Sequence, residues 1–244
     1  MDYKPIDDYG IIGDLHTAAL VGSDGSIDWC CLPHFDSPSV FGAILDVNKG
    51  GYFKVSGVGE VHRRQLYYPE TNVLITRFSE AAGVVRVMDF MPVQTDGPTE
   101  DDHPHAIVRH VQCVRGETCV RLECFPAFDY GRSSHRVERY EDGVVFVSES
   151  GFRLGLTVAR PFEVRDGGVV SEFTLREGES VAFVLRPLES GEEQLQVSEQ
   201  AAWQLSQQTI AFWRRWLAKS SYKGRWREMV HRSLLTLKLL TYAP

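Results

Sequence analysis

Most of the chain is a series of short apolar segments separated by turn sequences, and this pattern constrains the fold more than any other feature. Across residues 11–188, β-favouring segments alternate with turns such as GSDG at 22–25, RGE at 115–117 and EDG at 141–143. Within residues 120–124 (VRLEC), apolar and charged side chains alternate as they do in a half-buried strand. About a dozen short strands at this spacing predict a mainly β fold, an antiparallel β-sandwich or barrel.

The pattern changes after residue 190, where two helices are predicted. Residues 198–219 carry apolar side chains at spacings of three and four, which is typical of an amphipathic helix, and Ser198 is suited to cap it. Residues 226–242 form a second helix whose last part is apolar on nearly every side, as in a helix inside a larger assembly. Because a polar sandwich exterior does not obviously accept so much apolar surface, we expect this chain to be the front part of a longer protein.

Composition argues against several classes of protein. The formal net charge of −7 argues against nucleic acid as a partner, because nucleic acid selects clustered Lys and Arg. The N-terminal sequence lacks the basic and then apolar order of a signal peptide, and no segment approaches the ~18 apolar residues of a membrane span. We therefore expect no membrane association and a cytoplasmic location. The five cysteines include the adjacent Cys30 and Cys31, which favours reduced, buried thiols over disulfides or a zinc site.

No motif identifies a catalytic, cofactor-binding or metal site. Adjacent carboxylates, as at 100–102 and 192–193, lie in polar, turn-like stretches where solvated charge is the usual role. His103 and His105 offer half a metal site, but no third ligand stands at a suggestive spacing. We therefore expect no catalytic residue, no metal ligand and no cofactor in this chain. Histidines beside apolar residues, such as His16, are interpreted as structural.

The stretch from residue 9 to residue 45 is unusual because it mixes buried-type strand residues with acidic and histidine side chains. One interpretation is that the carboxylates cap turns, with residues 36–38 (DSP) forming an Asx turn into a short helix at 38–45. The other is that the loop at 33–41 packs on a neighbouring domain and helps to shape its site. On that second interpretation, the residues at the domain interface or the mouth of the site are Asp28, Trp29, His34, Phe35, Asp36 and Phe41.

Several motifs in the chain are long enough to be specific to one family. They are DYG-x-IGD at 8–14, TAALV at 17–21, DGSIDW at 24–29 and P-x-FDSPSVF at 33–41, followed by RVMDFMP at 86–92, FDYG at 128–131 and the tail at 213–242. Together these motifs closely resemble bacterial glycoside hydrolase family 15 proteins, the glucoamylase-like and trehalase-like enzymes. The resemblance runs nearly from end to end of the chain.

The resemblance implies an antiparallel super-β-sandwich at residues 1–190, then a helical linker and the start of a truncated (α/α)6 barrel domain at 191–244. In that family the barrel hydrolyses α-glucosidic bonds with inversion, using one glutamate as the acid and another to activate water. No position in this sequence matches either glutamate, so the chain alone is expected to be inactive. The implied partners are the protein's own downstream catalytic barrel and the α-glucoside substrate of that barrel.

Two other interpretations stay open. A self-sufficient carbohydrate-binding sandwich would use exposed aromatic side chains as sugar platforms, and the candidates are Tyr52, Phe53, Tyr67 and Tyr68. A partner-docking module would instead use the terminal helices as its binding surface. The apolar helix at 226–242 also leads us to expect homo-oligomers through the C-terminal helices.

Overall fold

Strands form in the β-favouring segments, some alternating and some almost entirely apolar, and they pair antiparallel in the described part of the chain. The computed structural model describes residues 3–59, 61–93, 105–189, 192 and 197–242. The strands are β1 (Tyr9–Gly13), β2 (Ala18–Gly22), β3 (Ser26–Cys31), β4 (Ser39–Phe41), β5 (Tyr52–Gly57), β6 (His62–Tyr67), β7 (Leu74–Ser79), β8 (Gly83–Phe90), β9 (Ile107–Phe125), β10 (His135–Tyr140), β11 (Gly143–Ser148), β12 (Arg153–Thr157), β13 (Glu163–Arg165), β14 (Gly168–Arg176) and β15 (Ser180–Leu188). The predicted mainly β fold followed by helices is confirmed. The carboxylates at 100–102, Glu193 and His103 lie outside the described residues.

Strand β9 is the centre of the architecture because its two halves take different neighbours. The N-terminal half pairs with β8 and β15, and the C-terminal half pairs with β5 and β14. One set of strands therefore has the order β6-β7-β8-β9-β15-β12-β11-β10, and the other has the order β1-β2-β3-β5-β9-β14-β13, with β4 against β3. The two sets form the layers of a sandwich that share one long strand.

The hairpin turn predicted at 115–117 is wrong, because β9 continues through these residues without reversing. Gly83 of β8 pairs with Gly116, and the next residue, Glu117, pairs with Arg176 of β14. Gly116 has a φ of 68°, and a Cβ at this position would lie 2.1 Å from the carbonyl oxygen of Ala82. Glycine is needed here because only its backbone tolerates both the left-handed conformation and the close approach. The strand therefore bends at this glycine as it passes from one layer to the other.

The main core lies between the two layers. In strands such as β5 and the second half of β9, alternate residues are buried. The core contains Ile12, Val21, Phe53 and Leu122 from one layer and Phe78, Val87, Phe146 and Phe183 from the other. A core filled by side chains from both layers is the arrangement expected of a β-sandwich.

The helices are α1 (Phe128–Gly131), α2 (Glu199–Leu217) and α3 (Arg227–Leu239), with a short 3-10 turn at Ile6–Asp8. The predicted cap of α2 is confirmed, because the Ser198 hydroxyl accepts a hydrogen bond from the Ala201 N–H at 3.1 Å. The helix predicted at 38–45 is wrong. Residues Ser39–Phe41 instead form β4, which pairs with β3 and buries Val40 and Phe41 in the core. Tertiary packing here overrides a local capping signal.

Both long helices pack on the outside of the sandwich. Helix α2 covers the outer face of the layer that contains β8, β9 and β15, where it buries Ala202 and Ile210 against Met88, Val108 and Val184. We expected the outside of the sandwich to be too polar to cover the apolar side chains of the helices. That expectation is wrong for the outer face on which α2 packs. A second cluster joins both helices to the β1–β2 turn through Leu15, Trp213, Leu217, Leu235 and Leu239. Within the described residues, no helix is both long and apolar enough to cross a membrane.

Candidate functional site

The six residues predicted for a domain interface or site mouth lie in different environments. Asp28 is buried and accepts hydrogen bonds from the Tyr9 hydroxyl at 2.7 Å and the Ser26 hydroxyl at 2.5 Å. It also pairs with the ammonium of Lys4 at 2.5 Å. Burial and the Asp28 hydrogen bond together raise the pKa of Tyr9. Asp28 therefore anchors the N-terminal segment to β3 and is not open to a ligand.

Three more of the six residues lie in three different environments, although Trp29 follows Asp28 directly in β3. Trp29 is half-buried and lies against Tyr130, with ring centroids 6.3 Å apart. Phe41 is fully buried beside Phe53, also at 6.3 Å. Asp36 is exposed on the loop at 33–41. These positions do not form one site.

The turn in that loop is closed by Ser37. Its hydroxyl accepts a hydrogen bond from the His34 N–H at 3.1 Å, and its own N–H donates to the His34 carbonyl at 3.1 Å. Phe35 donates its N–H to the His16 carbonyl at 2.9 Å, which ties the loop to the turn between β1 and β2. These bonds bring His34 toward His16.

His34 belongs to a group of four side chains that we call the histidine cluster, namely Asp14, His16, His34 and His105. The ring centroid of His105 lies 5.2 Å from that of His16 and 5.3 Å from that of His34. The His105 Nδ1 atom lies 2.8 Å from the Asp14 Oδ2 atom. Three of its members, Asp14, His16 and His105, are the one group of side chains, among the residues that the structure describes, placed to hold a metal ion together.

The backbone holds the Asp14 end of the cluster in place. The Oδ1 atom of Asp14 accepts hydrogen bonds from the N–H groups of His16 at 2.9 Å and Thr17 at 2.8 Å. The other carboxylate oxygen, Oδ2, is therefore left to contact His105. Leu15, which lies between Asp14 and His16 in the chain, has a φ of 76°, and its buried side chain packs with the helices near Trp213. Left-handed backbone is costly for such residues and is often found at functional sites.

The side chains of Asp14, His16 and His105 can bind one metal ion together. Each offers one ligand atom, and these atoms all lie within 4.8 Å of one another. Imidazole and carboxylate are suitable ligands for divalent first-row transition metals. Sequence reasoning offered His105 only as half a metal site with His103 and interpreted His16 as structural. It missed this group because Asp14 and His16 lie about 90 positions before His105 in the chain.

Tyr242, which follows α3, closes one side of the histidine cluster. Its ring centroid lies 5.2 Å from that of His16, and its hydroxyl lies 3.5 Å from Nδ1 of His34. The end of the helical part therefore meets the sandwich at this cluster.

The four aromatic residues predicted as sugar platforms make internal contacts. Phe53 is fully buried and cannot meet a ligand. Tyr52 lies against Phe125, with centroids 5.5 Å apart. The Tyr67 hydroxyl accepts a hydrogen bond from the Ile11 N–H at 2.8 Å, and Tyr68 lies under the guanidinium of Arg214 at 5.4 Å.

Comparison with known proteins identifies the family of this chain. Residues 1–213 match the family described as trehalase-like, N-terminal. The trehalase of Thermoplasma volcanium is 32% identical over 256 residues, covering 99% of this chain and 38% of that protein. The trehalase of Mycolicibacterium smegmatis is 33% identical over 266 residues, covering 99% of this chain and 39% of that protein. The chain thus spans less than two fifths of the length of these relatives, and it belongs to the trehalase-like, N-terminal family.

Proposed function

We propose that this chain is the non-catalytic N-terminal domain of a glycoside hydrolase that cleaves α-glucosidic bonds, of trehalase or glucoamylase type. The family match and the two trehalases support this assignment. Membership of glycoside hydrolase family 15 and an inverting mechanism are part of the same proposal, and they rest on the sequence motifs. The proposed division is a sandwich domain at 1–190, with a helical linker and the start of an α/α barrel at 191–244.

The observation that carries the proposal is a stripe of exposed apolar side chains along α3. Trp226, Met229, Leu237 and Leu240 follow one another at spacings that place them on one face, and Met229 and Leu237 are 66% and 65% exposed. The opposite face of α3 is anchored by Leu235 and Leu239. An exposed apolar stripe of this kind is typical of an interface. We assign it to the catalytic domain of the same protein.

The buried carboxylates support a non-catalytic role. An inverting glycosidase needs two carboxyl groups about 6.5–9.5 Å apart, facing the sugar and a water molecule. Here Asp89 pairs with Arg109, Asp28 is held by Lys4 and Tyr9, and Asp14 is held by backbone N–H groups and His105. Each of these carboxylates already has internal partners, so we assign none of them as the acid or the base of a glycosidase.

Glucose release from trehalose and from maltooligosaccharides tests the proposal, with this chain and the full-length gene product assayed side by side. We expect only the full-length protein to release glucose, and the preferred sugar identifies the type of enzyme. Glucose release by this chain alone, at a rate near that of the full-length protein, would overturn the non-catalytic role.

Proton NMR of the first products tests the inverting mechanism separately. Inverting cleavage of trehalose, whose two glucose units are both α-linked, produces one molecule of β-glucose and one of α-glucose. A retaining enzyme would produce only α-glucose before mutarotation. Early spectra without β-glucose would therefore contradict the inverting mechanism but leave the domain assignment intact.

A further inference from the structure

We propose that Asp14, His16 and His105 bind one divalent transition-metal ion, with Zn²⁺ as the best match to their chemistry. The proposal is independent of the proposed hydrolase function, because it rests on this chain's own side chains. Two imidazoles and one carboxylate are a common set of three protein ligands for Zn²⁺, with a further position left for water.

The spacing of the ligand atoms fits a single ion. Zn²⁺ binds imidazole nitrogen and carboxylate oxygen at about 2.0–2.2 Å, so ligand atoms on one ion lie about 3–4 Å apart. The His105 Nδ1 and Asp14 Oδ2 atoms are 2.8 Å apart, and all three ligand atoms lie within 4.8 Å of one another. The spacing of about 3–4 Å that one ion requires lies between these two values.

The carboxylate of Asp14 and the backbone of His16 are held in place before any ion binds. The two N–H groups that donate to Oδ1 of Asp14 fix the plane of its carboxylate and direct Oδ2 toward His105. The His16 backbone is fixed on both sides, since its N–H donates to Asp14 and its carbonyl accepts from Phe35. Such supporting hydrogen bonds orient metal ligands and strengthen binding.

The cluster has the burial expected of a metal site. The Asp14 side chain is 4% exposed and that of His105 is 18% exposed. Burying a carboxylate is costly unless a positive charge or hydrogen bonds compensate, and a cation at this point would compensate it directly. The partly exposed imidazoles leave a path by which an ion can enter.

Metal binding would join parts of the chain that are distant in sequence. Asp14 and His16 belong to the β1–β2 turn, whereas His105 precedes β9. His34 and Tyr242 lie at the edge of the cluster, so the ion would also sit where the residues after α3 meet the sandwich. We therefore expect the ion to stabilise the contact between the sandwich and its C-terminal helices.

The competing explanation is a plain hydrogen-bonded pair between Asp14 and His105 that holds no ion. Calorimetric titration of the tag-free, EDTA-stripped chain with ZnCl₂ separates the two. We expect one Zn²⁺ per chain and a Tm increase of roughly 5–10 °C at a hundredfold excess over Kd. Co²⁺ should give visible absorption bands typical of a low-coordinate site with nitrogen and oxygen ligands. Failure to bind either ion would overturn the proposal.

Substitution of each proposed ligand tests whether the ion binds at this position. Asp14→Asn keeps an acceptor for the two backbone N–H groups but removes the charge, and His16→Gln and His105→Gln remove one ligand each. Each change should weaken Zn²⁺ binding about tenfold or more, while the metal-free variants keep the far-UV circular dichroism of the parent. The matched control is His62→Gln on β6, an exposed histidine outside the cluster, which should bind Zn²⁺ like the parent. Unchanged affinity in all three cluster variants would place the ion elsewhere and contradict the proposal.

Discussion

The Nε atom of Arg109 lies 2.8 Å from the Oδ1 atom of Asp89, and both side chains are fully buried between the two layers of the sandwich. The other guanidinium N–H groups donate to the carbonyl oxygens of Phe53 at 2.6 Å and Gly25 at 2.7 Å. Arg109 on β9 therefore reaches from the layer containing β8 to backbone groups of the opposite layer. A buried charge persists only when it is paired and hydrogen-bonded in this way.

We predict that Asp89→Asn lowers the free energy of unfolding by ~3–5 kcal/mol, because it leaves the Arg109 charge buried without its counter-ion. Urea unfolding followed by circular dichroism measures the change. The control is Arg176→Gln, which removes an ion pair with Glu117 in which both side chains are exposed to solvent. We expect the control to leave the midpoint of unfolding unchanged. A similar shift in both variants would mean that the buried pair has no special importance.

A second prediction concerns His110, which lies under α2. Burial lowers the pKa of His110, Arg86 adds to that effect, and Glu199 opposes it from 3.8 Å. The Nδ1 atom of His110 is buried and has no hydrogen-bond partner. In the unfolded chain a histidine titrates near pH 6.5. Between the folded pKa and about 6.5 the unfolded state therefore binds more protons, and stability rises with pH across that window.

The expected result is that the free energy of unfolding falls as the pH is lowered from about 7.5 through 6.5. His110→Gln should lose part of this pH dependence, because the glutamine cannot take up the proton. Urea unfolding at a series of pH values measures both slopes. If the variant keeps the whole slope of the parent, His110 is not the group responsible.

The third prediction concerns thiol reactivity. The five cysteines are free, and four of them are buried, which agrees with the reduced thiols predicted from the sequence. Burial raises the pKa of Cys30, Cys31 and Cys124. Cys119 is only partly buried, but its pKa is also raised, first by burial and then by Glu172. Because the thiolate is the reactive form, all of these thiols should react slowly in the folded protein.

Ellman's reagent at pH 7.4 should therefore label at most Cys119 in the native chain, and all five cysteines once guanidinium chloride is added. Cys119→Ser is the matched variant and should remove the native labelling. Rapid labelling of two or more thiols in the native protein would show that the core around them opens readily.

Local sequence patterns predicted the fold class well, because alternation and turn residues act over a few positions. The cap at Ser198 and the two long helices follow from the same kind of local signal. Gly116 shows the limit of that reasoning: a glycine between two charged residues predicts a hairpin, yet here it permits a bend in one continuous strand. The hairpin and the continuous strand are distinguished only by the pairing of β9 with β8 before this point and with β14 after it.

The histidine cluster was beyond local reasoning for a different reason. Asp14 and His16 are two positions apart, and the third ligand, His105, reaches them only because β1, β2 and the start of β9 meet in the folded sandwich. The six residues predicted for a domain interface were chosen from one stretch of sequence, where neighbouring strand residues point to opposite faces. Of these six, His34 belongs to the cluster, and Phe35 contacts it through the hydrogen bond from its N–H to the His16 carbonyl.

The last prediction tests the apolar stripe on α3 by comparing two leucines of that helix. Leu237 is 65% exposed, whereas Leu239 is fully buried against Gly13 and the residues around Trp213. Leu239→Ala should lower the free energy of unfolding of this chain by ~2–5 kcal/mol, because it leaves a cavity. Leu237→Glu should change it by no more than about 0.5 kcal/mol, because the side chain is at the surface.

In the full-length protein, we expect Leu237→Glu to be destabilising. If the stripe docks on the catalytic domain, Leu237→Glu places a charge in a buried interface and lowers the Tm of the full-length protein, although it leaves the Tm of this chain alone unchanged. In the isolated chain the same variant should reduce any self-association seen by sedimentation velocity, since the exposed apolar surface is smaller. Equal Tm values for the full-length parent and its Leu237→Glu variant would mean that the stripe faces solvent in the whole protein.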